Sequence, residues 1–166
     1  MTRHFGRRPI FGGALLVFLA LTGCKTAPCP SGSKLMGLPP PEGTETYCQQ
    51  LDSAGKPMVD ADGKPLKNGQ FTLYYPNGAK MMEGNYKNGK QDGFWRQYYD
   101  SGQQSALNEY HDGVMNGLHV LWHPNAQKAE EGQYVNGKRE GKWRHWDVYG
   151  LKNWSEEYKN DVKIVS

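Results

Sequence analysis

The sequence predicts an all-β fold, an elongated single-layer antiparallel meander built from four 24-residue β-hairpin repeats. From Gly69 onward, four consecutive blocks of 24 residues align without a gap, and every block opens with glycine and has tyrosine at its eighteenth position. Asn-Gly or Asp-Gly steps, which supply the positive φ angles of tight hairpin turns, separate runs rich in aromatic residues. A fixed period of about 20 to 50 residues is typical of an array built from one supersecondary unit.

Each block contains two predicted strands and two predicted turns. In the first block the run from Phe71 to Tyr75 ends at a Pro-Asn-Gly turn, and a second extended run ends at Tyr86. Asn88-Gly89 then turns the chain towards the next block, and the last block has Asn160-Asp161 at this step. About eight strands at about 4.8 Å each give a sheet about 38 Å long. We expect aromatic stacking between neighbouring blocks at the sixth position, which is occupied by Tyr74, Tyr98, Trp122 and Trp146.

The repeated pattern resembles the bacterial variant of the MORN repeat. The resemblance depends on the opening Gly-x-aromatic (GQF, GFW, GKW), the aromatic pair that follows, the Pro-Asn-Gly turn and the closing EGNYKNGK and EGQYVNGKREG. It covers residues 69 to 164, the four MORN-like repeats. His119 and Ala126 depart from it, because other blocks have Phe or Trp and the turn glycine there. Members of that variant are often labelled as antitoxin components of toxin-antitoxin systems, which is what the resemblance implies.

Residues 1–23 are predicted to be a lipoprotein signal peptide. Three arginines precede an apolar run of about 12 residues, which is too short to span a bilayer as a helix of about 20 residues. The following Leu21-Thr22-Gly23-Cys24 looks like a bacterial lipobox, whose cysteine receives diacylglycerol. We therefore expect a protein of the cell envelope, anchored to a bacterial membrane by lipidated Cys24, on the periplasmic or surface side of the outer membrane. An ordinary secretory signal with an incidental cysteine is the alternative.

Two regions separate the signal from the array. Residues 24–47 are predicted to be a tether, carrying the lipidated cysteine and closed by a disulfide between Cys29 and Cys48, an even pair in an oxidising compartment. A metal site is the alternative for the two cysteines. Residues 48–68 contain two Gly-Lys-Pro turns and are interpreted as a degenerate N-terminal cap that covers the open edge of the meander, or else as a flexible spacer.

The charge balance and the motif content argue against several classes of function. The signal holds three of the 20 Lys and Arg residues and no acid, so 17 basic residues face 17 acidic ones in the rest of the chain. This neutrality argues against nucleic acid as a partner, because phosphate binding needs a basic surplus. Nucleophile motifs and phosphate loops are missing from the sequence. His119 and His123 lie about 13 Å apart on a predicted strand, too far to share a metal ion. We expect histidines to fill aromatic positions, and neither enzymatic activity nor a cofactor or metal.

The candidate partner-binding residues are three lysines at the twelfth position, Lys80, Lys128 and Lys152, together with Tyr75 and Tyr99. On a regular strand the lysines and the glutamates at the fifteenth position, Glu83 and Glu131, would face opposite sides, giving one basic and one acidic row.

These observations favour a monomeric, non-enzymatic repeat scaffold that is anchored in the envelope and binds a macromolecule, most simply a protein. Two alternatives stay open. One is an antitoxin or immunity protein, in which the sheet would occlude a toxin. The other is phospholipid head-group binding, an analogy with eukaryotic MORN proteins.

Overall fold

The structure is a computed structural model, and it describes residues 29–164 except for the side chains of Lys152 and Asn153. This part of the chain is all-β and forms one open antiparallel sheet of 11 strands, whose spatial order is the order of the sequence. The predicted single-layer meander is thereby confirmed. The strands are β1 (Ser33–Leu38), β2 (Glu45–Gln50), β3 (Lys67–Tyr74), β4 (Lys80–Lys87), β5 (Lys90–Tyr98), β6 (Gln104–His111), β7 (Val114–Trp122), β8 (Lys128–Val135), β9 (Lys138–Trp146), β10 (Lys152–Lys159) and β11 (Val162–Ile164). Residues 29–164 include no apolar helix of membrane-spanning length.

The four repeats are the hairpins β3–β4, β5–β6, β7–β8 and β9–β10. The turns that join one repeat to the next have two consecutive residues in the left-handed region, as at Asn88 (φ 51°) and Gly89 (φ 79°). The last of these turns keeps that geometry without glycine, with φ 52° at Asn160 and 68° at Asp161. It allows β11 to pair with β10 and to continue the sheet.

The sheet begins before the first repeat, with the hairpin β1–β2. Strand β2 pairs with β3, so β1 forms the N-terminal edge of the sheet. The predicted disulfide between Cys29 and Cys48 is present, and Cys48 is buried. Between β2 and β3 the chain makes two tight turns, in which the carboxylates of Asp52 and Asp60 each accept two backbone N–H groups.

One face of the sheet, here called the core face, carries the third and eighteenth residues of the repeats. Rings from these two positions alternate across the strands in edge-to-face contact, as where Tyr86 lies 4.9 Å from Trp95 and Tyr134 lies 5.1 Å from Trp143. Both tryptophans are almost completely buried, with 2% and 1% exposure. The row that stacks is therefore not the sixth position, as the sequence analysis expected. Third and sixth residues have opposite parity on a strand, so only one of them can face the aromatic core.

Two glycines make room for the buried tryptophans. A Cβ added at Gly84 would overlap the ring of Trp95, and one at Gly132 would overlap the ring of Trp143. The second repeat has Asn108 at the corresponding sixteenth position, and the ring opposite it is the smaller His119. Glycine at the sixteenth position therefore leaves room for the tryptophan of the next repeat, and asparagine at this position stands opposite the smaller histidine.

Candidate functional site

The other side of the sheet, here called the polar face, carries the fourth residues of the repeats: Thr72, Arg96, Val120 and Arg144. The expectation of separate basic and acidic rows is wrong, because Lys80 Nζ lies 2.6 Å from the carboxylate of Glu83. Strand β4 contains a bulge: Lys80 pairs with Tyr74 and the next paired residue is Met82. The extra residue reverses the parity, so both charges face the same side.

The first cluster on the polar face joins two repeats through Glu83. Its carboxylate accepts hydrogen bonds from Lys80 and from the hydroxyl of Tyr98, and Arg96 lies on the paired position of the next strand. Burial raises the pKa of Glu83, but these hydrogen bonds and the two positive charges outweigh burial and lower it below its usual value. Burial and the bond to Glu83 raise the pKa of Tyr98 to about 12.

The second cluster repeats the first after 48 residues. Glu131 accepts from Lys128, and Arg144 Nη1 donates to Glu131 Oε1 at 3.3 Å. Trp146 takes the place of the tyrosine, and Lys128 Nζ lies 5.8 Å from the centroid of its ring. The chemical period of the polar face is therefore two repeats, and the φ angle of the opening glycine follows it, at 111° and 126° in the first and third repeats and 73° and 67° in the second and fourth.

Beside each cluster lies a shallow depression in the polar face. The first depression, of about 160 Å³, is lined by Gln70, Phe71, Thr72, Glu83, Gly84, Asn85, Phe94 and Arg96. The second, of about 140 Å³, is lined by Leu118, Glu131, Gly132, Gln133, Glu140, Gly141, Lys142 and Arg144. Six positions of the two linings correspond at a spacing of 48 residues. The glutamates lie four strands apart, which corresponds to about 19 Å.

At the equivalent place between the second and third repeats, side chains of the protein itself fill the polar face. Leu107 and Val120 pair across β6 and β7, and Val120 is 4% exposed. The carboxylate of Glu109 accepts a hydrogen bond of 3.0 Å from the backbone N–H of Leu118. This place is called the filled site below.

The other residues that the sequence analysis proposed for partner binding or lipidation do not line the two depressions. Tyr75 and Tyr99 are half-buried, and their hydroxyls donate to backbone carbonyls of the following repeat at 2.8 and 2.7 Å. His123 contacts the next such carbonyl, so it fills a tyrosine position, as expected of the histidines. Lys152 lies at the start of β10, and Cys24 lies outside the described residues.

The core face contains a polar chain that sequence reasoning missed. His119 Nδ1 lies 2.6 Å from Asn108 Oδ1, and its Nε2 lies 3.2 Å from Glu130. The other oxygen of Glu130 lies 3.2 Å from His145 Nδ1. The bond to His119 is the main cause that lowers the pKa of Glu130 below its usual value, against burial, which raises it. Glutamate at the fourteenth position, where other repeats have Met, Ala or Trp, was the available signal.

The described residues contain no group of three His, Cys, Asp or Glu side chains arranged to hold a metal ion. Comparison with known proteins gives no assignment, since no protein-family model matches the chain and no curated protein matches it. The arrangement on the polar face, with paired cations beside two equivalent depressions, is suited to binding.

Proposed function

We propose that this chain is a lipid-anchored protein of the bacterial cell envelope, related to the MORN-like repeat proteins, that acts as a non-enzymatic scaffold and binds a protein partner on the polar face of its sheet. The observation that carries the proposal is the pair of equivalent depressions 48 residues apart, each beside a Lys-Glu-Arg cluster. The anchor is supported by the Leu-Thr-Gly-Cys sequence ending at Cys24.

A protein partner is supported by the shape and chemistry of this face. The face is open and extends over several strands, and it offers charged groups together with exposed apolar ones such as Phe94, which is 43% exposed. Two similar contacts about 19 Å apart favour a partner that engages both, because the second contact becomes intramolecular once the first has formed. A small substrate would occupy one depression only.

The test is capture from envelope extracts by the tagged, purified full-length protein. The double variant Arg96→Gln and Arg144→Gln should retain at least tenfold less of any partner that the wild type captures. The double variant Lys56→Gln and Lys159→Gln is the matched control, because it removes two exposed cations that do not line the depressions. It should capture as the wild type does.

An antitoxin or immunity protein that plugs one toxin site would give a different result. One arginine substitution alone would then account for the whole loss, as expected for a single binding hot spot. Equal capture by wild type and the double arginine variant would overturn the proposal. The anchor is tested separately: Cys24→Ser should release the protein from the membrane fraction, and a variant that still sediments with membranes would contradict the anchor.

A further inference from the structure

The filled site shows which chemical group fits this kind of bulge in the sheet. At Gly117 (φ 126°) the space that a Cβ would occupy is taken by the carboxylate of Glu109. The same carboxylate receives the backbone N–H of Leu118. The chain therefore supplies an internal carboxylate to a backbone donor that faces the polar side of the sheet.

The two depressions lie at the corresponding sequence positions, one repeat before and one repeat after the filled site, and they lack that carboxylate. Phe94 and Lys142 are at the position of Leu118, the residue whose backbone amide is the donor in the filled site. Asn85 and Gln133 are at the position of Glu109, and neither side chain bears a negative charge. Amide side chains at these two positions leave the depressions open.

The space itself is also free. A Cβ added at Gly93 or Gly141, which correspond to Gly117, would meet no atom within 4 Å. Both glycines have positive φ, at 73° and 67° against 126° at Gly117, and each lies where the register between its strand and the preceding strand shifts. An external group therefore has room beside each of these two glycines, whereas the space beside Gly117 holds the carboxylate of Glu109.

The charges beside the depressions favour an anion. The ionisable groups that line the depressions or pair with their glutamates are Lys80, Glu83 and Arg96 at the first, and Lys128, Glu131, Glu140, Lys142 and Arg144 at the second. Each set has a net charge of +1. The filled site combines Val120 in place of the arginine with an internal carboxylate from Glu109.

We propose that each depression binds a carboxylate of the partner protein, an Asp or Glu side chain or a chain terminus. The backbone amide of Phe94 or Lys142 and the guanidinium of Arg96 or Arg144 are the donors. Hydrogen bonds to a charged acceptor are shorter and stronger than those to a neutral one, so these donors prefer a carboxylate to an amide. The source of the carboxylate rests on the proposed function, but the preference of the depressions for a carboxylate can be tested without the partner.

The experiment is an NMR titration of the full-length ¹⁵N-labelled protein with the blocked tripeptide acetyl-Gly-Glu-Gly-amide. The amides of Phe94 and Lys142 should shift with saturation, while the amide of Leu118 should not, because Glu109 already occupies its acceptor position. The same peptide with Gln in place of Glu should leave all three amides unchanged. Acetyl-Gly-Gly with a free C-terminus tests the terminal carboxylate as the source.

Variants that convert one site into the other give matched controls. Gln133→Glu places a carboxylate where the filled site has one, so it should abolish the response of Lys142 and leave that of Phe94. Arg144→Gln should weaken binding at the second depression about tenfold, with the first again as internal reference. Glu109→Ala should make the amide of Leu118 respond.

Several results would overturn the inference. These are equal shifts with the Glu and Gln peptides, shifts spread over surface lysines rather than at the two depressions, or a response of Lys142 that survives Gln133→Glu. Stronger shifts with inorganic phosphate than with the Glu peptide would reject the carboxylate in favour of a phosphate ligand. Peptide binding without capture of any partner from extracts would keep the carboxylate subsite and reject the scaffold function.

Discussion

The junction between the second and third repeats differs from the junctions on either side of it on both faces of the sheet. On the core face the outer junctions place Trp95 over Gly84 and Trp143 over Gly132, whereas the middle junction places His119 beside Asn108. The outer pairs are held by burial of a large ring. The middle pair is held by a hydrogen bond.

The polar face changes at the same junctions. The outer junctions have arginine at the fourth position beside an open depression, and the middle junction has the buried Val120 and the inward carboxylate of Glu109. Because the side chains of both faces change at the same junctions, the chemistry of the array recurs every two repeats. Repeats of constant length can therefore carry alternating chemistry.

The largest effect should come from removing an outer tryptophan. Trp143→Ala should lower the free energy of unfolding by about 3 to 5 kcal/mol, because the ring is 1% exposed and leaves a cavity. His119→Ala should cost less, since the smaller ring removes less apolar surface. Urea unfolding with equal m-values would measure both. Equal losses would show that the middle junction is as important to stability as the outer ones.

Transplanting the middle pair into an outer junction is a sharper test. Gly132→Asn alone should destabilise by about 1 to 3 kcal/mol, because the new side chain overlaps the ring of Trp143. Adding Trp143→His should then cost less than it does in the wild type. A double-mutant cycle should give a favourable coupling of about 0.5 to 3 kcal/mol. Additive losses would mean that the Asn-His pairing depends on its wider surroundings.

The meander could be predicted from the sequence because period, turn residues and aromatic content all indicate the same structure. The Asn-Gly and Asp-Gly turns specify hairpins, and Cys29 and Cys48 are the pair that remains once Cys24 is set aside as the cysteine of the predicted lipobox. The stacking row could not be chosen from composition, since both the third and the sixth positions are rich in aromatic residues. The third position stacks because it lies on the same face as Gly84 and Gly132, whose lack of a side chain leaves room for the tryptophan rings opposite them.

The candidate site was predicted less well, for a local reason. Parity counting placed Lys80 and Glu83 on opposite faces, and the bulge in β4 places them on the same face. A bulge adds one residue without any strong sequence signal. The filled site was equally hidden, because the distinguishing features are single residues such as Glu109 and Val120 within a regular repeat.

The polar chain of the middle junction should make stability depend on pH. The pKa of Glu130 is lowered in the folded protein, so its contribution is present above the usual carboxyl value of 4.5 and is lost as pH falls through the folded pKa. The difference in unfolding free energy between wild type and Glu130→Gln should therefore shrink below about pH 4.5. The exposed Glu157→Gln is the control and should show less change. A difference that is constant from pH 7 to 3 would contradict the assignment.

The smallest effect concerns the turn within the third repeat. Ala126 has φ 70°, where the corresponding turns have Gly78, Gly102 and Gly150 at φ 80° to 86°. A left-handed backbone conformation strains any residue with a Cβ, and Ala126→Gly removes this strain. Glycine loses more conformational entropy on folding, so we expect a net stabilisation of the protein by about 0.5 to 1 kcal/mol. The reverse change, Gly78→Ala, should destabilise by a similar amount, because a Cβ there meets no atom within 4 Å and only the backbone resists it. Chemical denaturation of both variants checks this. Opposite signs of similar size would show that the turn of the third repeat has the same preference for glycine as the turn of the first, whereas no gain from Ala126→Gly would contradict the strain at Ala126.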